Sequence, residues 1–190
     1  MSSEAVLILA SGSPRRKELL SNFNIPFQII VPDTEENCVG KAREVVRVLA
    51  LEKGKVVFDL HKEAYVLSAD TLVSMDEVVM GKPQDAQEAK EMLARLSGKT
   101  HQVYTGIALH CPNGQVLCDV VKTDVTFDAL SEKCIESYVA GGEPMDKAGA
   151  YGMQGKGSTF VTRINGSPSN VIGLPLHVVH RFFKEVGWIE

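Results

Sequence analysis

The apolar positions of this chain recur with a period that switches between strand and helix, and the switches fall at small or turn-forming residues. Val6 to Ala10 is a short unbroken apolar run of buried-strand type. Ser13 then stands where a helix N-cap belongs, Pro14 suits the first helical position, and Leu19, Leu20 and Phe23 supply an apolar face. A strand, a tight Ser-Gly-Ser loop and a helix therefore open the protein. Phe27 to Val31 reads as a second strand, and Ala42, Val45, Val46, Leu49 and Ala50 mark one face of a second helix that extends past Lys53, with Gly54 weakening its end. Val66 to Val73 and Val78 to Met80 are β-rich runs on either side of Asp76-Glu77, which predicts a hairpin closed by Gly81-Lys82-Pro83.

Asp85 followed three positions later by Glu88 has the form of a capping box, and Ala89, Met92, Leu93 and Leu96 give a helical stripe that stops at Gly98. Val103 to Leu109 and Val116 to Phe127 flank Pro112-Asn113-Gly114, a strong hairpin signal. Ser131 caps a helix carrying Ile135, Tyr138 and Val139 that ends at Gly141-Gly142, and a last helix starts at Pro175 and runs toward Val186. Glu143 to Gly157 is Gly-rich and takes no regular assignment; a connection that long is functional or locally structured. The alternation, without linker, repeat or low-complexity tract, predicts one layered α/β or α+β domain spanning residues 1–190.

Composition narrows the classes. The chain has 190 residues, 44% hydrophobic and 23% charged, which excludes a disordered chain. Twenty basic against 24 acidic residues give a net charge of −4, so no positive field awaits a nucleic-acid backbone. No apolar run approaches the roughly 20 residues of a membrane span. Glu4 occupies a place where a signal peptide carries Lys or Arg, so the expected location is cytoplasmic, with no membrane partner. Cys38, Cys111, Cys118 and Cys134 lack C-x-x-C spacing and read as reduced thiols. His177 and His180 stand three apart without H-E-x-x-H or a nearby Cys, which argues against a histidine metal site.

Three polar clusters interrupt this pattern: Ser11 to Arg16, then Ser68-Ala69-Asp70-Thr71 with Gly81-Lys82-Pro83, then Asp146-Lys147 through Gln154. In Ser11-Gly12-Ser13-Pro14-Arg15-Arg16, small residues after a strand expose backbone N–H groups at a helix N-terminus, where anions are favoured. Arg15 and Arg16 oppose the helix dipole unless an anion sits among them; the plain alternative is a capped surface helix. Asp70 closes the apolar run from Tyr65, and reads either as a general base or metal ligand at a strand end, or as an Asx-turn or capping carboxylate. Lys82 before Pro83 is a phosphate-binding cation or a solvated lysine. Gln154, among Gly149, Gly152, Gly155 and Gly157, reads a ligand or keeps a loop soluble. Walker A, G-x-G-x-x-G and G-x-S-x-G patterns are absent.

The order Leu9-Ala10-Ser11-Gly12-Ser13-Pro14-Arg15-Arg16-Lys17-Glu18-Leu19-Leu20, then Ala69-Asp70-Thr71, Gly81-Lys82-Pro83, Leu96-Ser97-Gly98, Asp146 to Gly152 and Gln154, resembles the Maf family of nucleoside triphosphate pyrophosphatases. That resemblance covers nearly the whole chain. It implies an elongated mixed-sheet α/β fold related to the inosine triphosphatases, with a central cleft. It also implies hydrolysis of a nucleoside triphosphate to the monophosphate and pyrophosphate with a divalent metal, Mg²⁺ or Mn²⁺. Carried over by position, Asp70 matches the family's proton acceptor, and Arg15, Thr71 and Gln154 match positions associated with substrate choice in the dTTP/UTP branch. Ser11, Ser13, Arg16, Lys53 and Lys82 match the polar and basic positions around the triphosphate, while Glu36 matches an acidic residue that would share the metal with Asp70. Gly54 and Gly81 depart from the family pattern. A homodimer is the implied assembly.

The chemistry agrees with that resemblance. A triphosphate brings about four negative charges, and cleavage between its α and β phosphorus atoms calls for cations on the leaving pyrophosphate and a base for the attacking water. The alternative from another class is a nucleotide-binding or cell-division regulatory module without turnover.

Overall fold

The structure, a computed structural model, describes residues 6–34 and 39–190. Its strands are β1 (Leu7–Ala10), β2 (Phe27–Ile29), β3 (Tyr65–Met75), β4 (Val78–Met80), β5 (Thr100–His110), β6 (Val116–Phe127) and β7 (Val161–Asn165). The helices are α1 (Pro14–Ser21), α2 (Ala42–Leu60), α3 (Ala86–Leu96), α4 (Glu132–Ala140), α5 (Pro168–Ile172) and α6 (Leu176–Glu185). All seven strands join one mixed sheet in the order β2-β1-β3-β5-β6-β7, with β4 paired to β3. β1 runs parallel to β2 and β3, and the remaining pairs are antiparallel.

Strand alternation distributes the apolar residues to two faces. On one face Ile8, Ala10 and Val66 pack with Val57 of α2. On the other, Leu7, Leu9, Leu67, Ala69, Ile107 and Leu109 pack with Leu19 and Leu20 of α1 and with Val178, Val179, Phe182 and Phe183 of α6. Further along that same face, Val73, Val103, Val125 and Phe127 meet Ala89, Leu93 and Leu96 of α3 and Ile135, Tyr138 and Val139 of α4. β3 and β5 each run for 11 residues, about 36 Å at the usual rise. A strand of that length exceeds what one helix pair covers, so two helix groups divide the face and a cleft opens between them.

The local signals act as expected at the caps. The Ser13 and Ser131 hydroxyls accept from the backbone N–H of Arg16 and Cys134. Asp85 accepts from the Glu88 N–H at 2.8 Å, and the Glu88 carboxylate accepts from the N–H of Gln84 at 2.7 Å, one residue before the cap. Asp76 and Glu77 turn the β3–β4 hairpin with positive φ at both positions.

Two expectations change, two elements were missed, and one expectation holds. α2 does not weaken at Gly54 but continues to Leu60. A Cβ at Gly54 would lie 2.6 Å from both Ser68 Oγ and His110 Nδ1, so the missing side chain is what lets helix and sheet approach. Asp70 lies within β3 rather than at its end, because β3 continues five residues further, four of them paired with β5. β7 and α5, short and polar-rich, escaped the periodicity. The Glu143–Gly157 connection is locally structured, containing three short 3₁₀ turns over Glu143–Asp146, Ala148–Ala150 and Lys156–Phe160.

Candidate active site

β1 covers the edge of β3 only from Tyr65 to Ser68, and β4 covers it from Val73 to Met75. Residues 69–72 between them lie along an edge that no strand occupies among the described residues. A cleft of about 760 Å³ opens there, walled by the Ser11–Arg16 loop, Lys53, Asp70, Thr71, the Gly81-Lys82 turn and Asp146 to Met153. It lies beyond the C-terminal end of β1, at the N-terminus of α1, the place where α/β sheets commonly hold ligands.

Asp70 and Thr71 point to opposite faces of β3, as consecutive strand residues must. Asp70 turns toward α2, where Lys53 Nζ donates to its Oδ1 at 2.6 Å; both side chains are about nine-tenths buried. Packing explains how a lysine on a 19-residue helix reaches that carboxylate. Gly106 stands opposite Asp70 on β5, and a Cβ there would sit 2.0 Å from the Val46 carbonyl oxygen of α2. The helix backbone thus lies directly on the sheet, and Lys53, two turns later, overhangs β3.

Thr71 turns to the other face and accepts from Arg16 Nη2 at 3.1 Å. Arg16 also donates through Nε to the Gly173 carbonyl at 2.8 Å and through Nη1 to Ser11 Oγ at 3.3 Å. Arg15 pairs with Asp146 at 2.9 Å. The two arginines expected to oppose the α1 dipole are thus held by the Ser11 hydroxyl of their own loop and by a carboxylate, a carbonyl and a hydroxyl from distant segments. Ser13 is engaged as the cap of α1, and its own N–H donates to Ser11 Oγ at 3.2 Å.

The long connection is tied down by charge. Glu143 accepts from the N–H groups of Lys156 and Gly157 and from the Tyr138 hydroxyl. Partial burial works against its charged form, yet these bonds and Lys147 hold the carboxyl below its ordinary value. Asp146 behaves alike: burial opposes ionisation, but hydrogen bonds from Lys147 and Arg15 bring it to about 2. The Gly149 N–H donates to the Gly81 carbonyl at 3.0 Å, joining this connection to the Lys82 turn. Burial pushes the hydroxyls of Tyr138 and Tyr151 upward.

Among the residues singled out in the sequence, Ser11, Ser13, Arg15, Arg16, Lys53, Asp70, Thr71 and Lys82 line one cleft. Gln154 does not; it is exposed at the rim, with its amide donating to Glu18 at 3.3 Å. Glu36 lies outside the described residues. Among the described residues no group of three or more His, Cys, Asp or Glu side chains gathers to hold a metal. Lys147 and Tyr151 also line the cleft. Their signal was present in the Asp146–Gly152 run, but neither departs from what an ordinary loop contains.

Residues 6–186 match the Maf family, described as Maf-like protein. The chain belongs to the Maf family. Among curated Maf relatives, the dTTP/UTP pyrophosphatase of Bacillus cytotoxicus is 49% identical over 180 residues, covering 94% of each chain. The dTTP/UTP pyrophosphatase of Bacillus mycoides is 48% identical over 181 residues, again 94% of each. In fold, this Maf chain is similar to the Staphylococcus aureus Ham1 protein, with a TM-score of 0.56 at 12% identity over 95% of this chain and 99% of the other. The shared architecture matches the mixed-sheet α/β expectation. No helix among the described residues is long and apolar enough to cross a membrane.

Proposed function

We propose that this protein, as a single domain over residues 1–190, hydrolyses nucleoside triphosphates to the monophosphate and pyrophosphate, with dTTP and UTP as preferred substrates. The observation that carries the reading is the cleft itself, where a buried Lys53–Asp70 pair stands against a wall of cations from α1, Lys82 and Lys147. Relatives at 48–49% identity bear the dTTP/UTP pyrophosphatase name. In the reaction a water oxygen bonds to the α-phosphorus, the bridge to the β-phosphorus breaks, and pyrophosphate departs with the electron pair. Asp70 accepts the water's proton, and Lys53 fixes the orientation of the carboxylate. Ser11, Arg16 and Lys82 bind the phosphates, whose negative charge grows on the leaving group.

Mg²⁺ or Mn²⁺ would be held chiefly by the substrate phosphates, since among the described residues no cluster of carboxylates gathers to hold it alone. Such ions accept one or two carboxylates as hard oxygen ligands, and Asp70 with Glu36 would supply them. When bound, the ion neutralises phosphate charge and acidifies water. Base choice falls to Arg15, Thr71 and Gln154. A glutamine amide both donates and accepts, so Gln154 matches the imide edge of uracil or thymine once it leaves Glu18. The supporting facts for a cytoplasmic, membrane-free enzyme are the reduced-thiol pattern and the absence of a spanning helix among the described residues. We propose a homodimer as its assembly.

The test is pyrophosphate release across dTTP, UTP, CTP, ATP and GTP with Mg²⁺ or Mn²⁺, with and without EDTA. Expected are the highest kcat/KM for dTTP and UTP and loss of turnover on chelation. Nucleotide binding without release of pyrophosphate from any of them overturns the enzyme reading, and a purine preference overturns the base assignment.

A further inference from the structure

Behind Thr71 runs a chain of hydroxyls whose proton directions the geometry determines. Thr105, completely buried on β5, has its Oγ1 at 3.1 Å from the Asn170 backbone carbonyl and at 2.9 Å from Thr71 Oγ1. Asn170 is itself completely buried, and its side-chain amide donates to the Val103 carbonyl at 3.1 Å and to Thr123 Oγ1 at 3.0 Å. Its backbone carbonyl is therefore a fixed acceptor. A carbonyl cannot donate, so the single proton of Thr105 goes to Asn170, and Thr105 must accept at its contact with Thr71. The proton of Thr71 is thereby committed to Thr105. Arg16, which only donates, takes one of the Thr71 lone pairs.

We infer that Thr105 is a positioning residue for substrate choice, locking the Thr71 hydroxyl in the cleft as a hydrogen-bond acceptor whose remaining lone pair accepts a donor group of the ligand. This rests on the triphosphatase reading above and adds a polarity to it. The pyrimidine N3 is the atom that distinguishes the candidates: it carries a hydrogen in uracil and thymine and a lone pair in cytosine. A sugar hydroxyl is the other donor such a substrate offers. We assign the donor to N3–H, because a nitrogen lone pair set against the remaining lone pair of the locked Thr71 oxygen puts two acceptors face to face, the arrangement a hydrogen-bonding site rejects most strongly.

The experiment compares kcat/KM for UTP, CTP and the triphosphate of pyrimidin-2-one riboside, which presents a bare N3 lone pair with no exocyclic amine. Wild type, Thr105→Val and Thr105→Ser are assayed, with dTTP and 3′-deoxythymidine triphosphate as a second arm. Val matches Thr in shape but frees the Thr71 proton to donate. The expected wild-type preference for UTP over the pyrimidin-2-one nucleotide is at least about 10-fold, about the worth of one hydrogen bond. Thr105→Val narrows that ratio about 10-fold, expressed mainly in KM, and Thr105→Ser restores it. The 3′-deoxy substrate stays within about twofold of dTTP.

An equal loss for all substrates in Thr105→Val, with the ratio unchanged, makes the residue structural and overturns the inference. So does a wild type indifferent to the N3 hydrogen, a comparison that stands even where the valine variant fails to fold. A loss confined to the 3′-deoxy arm overturns the N3 assignment. Absence of pyrophosphate release by wild type from every triphosphate overturns the triphosphatase reading, a result distinct from active enzyme with an unchanged ratio.

Discussion

Asp70 and Lys53 form a buried ion pair, so each is both a chemical group and a structural one. Asp70→Asn keeps an acceptor for the ammonium while removing the basic oxygen. The expected result is a folded protein with kcat lowered at least 10²-fold, checked by pyrophosphate release alongside circular dichroism. Lys53→Ala leaves the carboxylate without that partner and is expected to lose about 3 kcal/mol of stability as well as activity, read by urea denaturation. The arginines of α1 divide differently. Arg16 donates to Gly173, Ser11 and Thr71. Arg16→Ala should therefore destabilise by about 1–2 kcal/mol besides weakening substrate handling. Arg15 pairs with an exposed carboxylate, since the Asp146 side chain is 63% accessible. Arg15→Ala should stay within about 0.5 kcal/mol of wild type in the same titration. The sequence alone showed two arginines opposing the dipole of α1, but not the acceptors brought to Arg16 by β3 and the end of α5.

Among the elements, α2 and the connection from Glu143 carry the site. α2 lies against β5 so closely that Gly106→Ala would drive a methyl into the Val46 carbonyl. Separation of helix and sheet is expected, costing about 3 kcal/mol or more and pulling Lys53 away from Asp70. Thermal melts and turnover should fall together. The Glu143 connection combines carboxylate bonds to its own backbone with the packing of Ala150 and Tyr151 into the apolar core. Glu143→Gln substitutes a donor for one of two acceptor oxygens, so hydrogen exchange at Lys156 and Gly157 should accelerate. Exchange in β3 and β5 should remain unchanged; acceleration there would show the connection to be integral to the sheet.

For the whole molecule, acid stability turns on a residue remote from the phosphate-binding groups. His101 is buried between β5 and the connection, with Nε2 against the Tyr151 hydroxyl, and burial lowers its pKa from 6.5 to about 4. The folded state thus holds a neutral imidazole that the unfolded chain protonates first. Its contribution is complete above pH 6.5 and is lost as pH falls toward 4, at no more than about 1.4 kcal/mol per pH unit. His110, likewise lowered by burial, adds in the same direction. Asp59 and Asp146 titrate near 2, below this window. The melting temperature should therefore fall between pH 6.5 and 4.5, and His101→Gln should flatten that slope. A pH-independent wild type would place the histidine's charge change elsewhere.

Local order was readable from the sequence wherever a residue acts on its neighbours. Ser13, Asp85 and Ser131 cap helices because a hydroxyl or carboxylate reaches only two or three residues ahead, and Asn113-Gly114 turns a hairpin for reasons internal to four residues. The polar runs around Ser11, Asp70 and Lys82 stood out because they break apolar periodicity, and tertiary structure gathers them into one cleft. What distance in the chain concealed needed the fold. Arg16 meets Gly173 across 157 positions and Thr105 meets the Asn170 carbonyl across 65, contacts that no local period encodes. Gly54 looked like a helix end because its missing side chain is unfavourable locally; only the sheet beneath shows why nothing larger fits. Asp70 read as a strand-end carboxylate because it closes the apolar run from Tyr65, whereas β5 continues to supply backbone partners as far as Ser74. Sequence therefore determined the elements and their polar interruptions, and tertiary packing decided which interruptions face one another, since hydrogen bonds and steric contact depend on proximity in space.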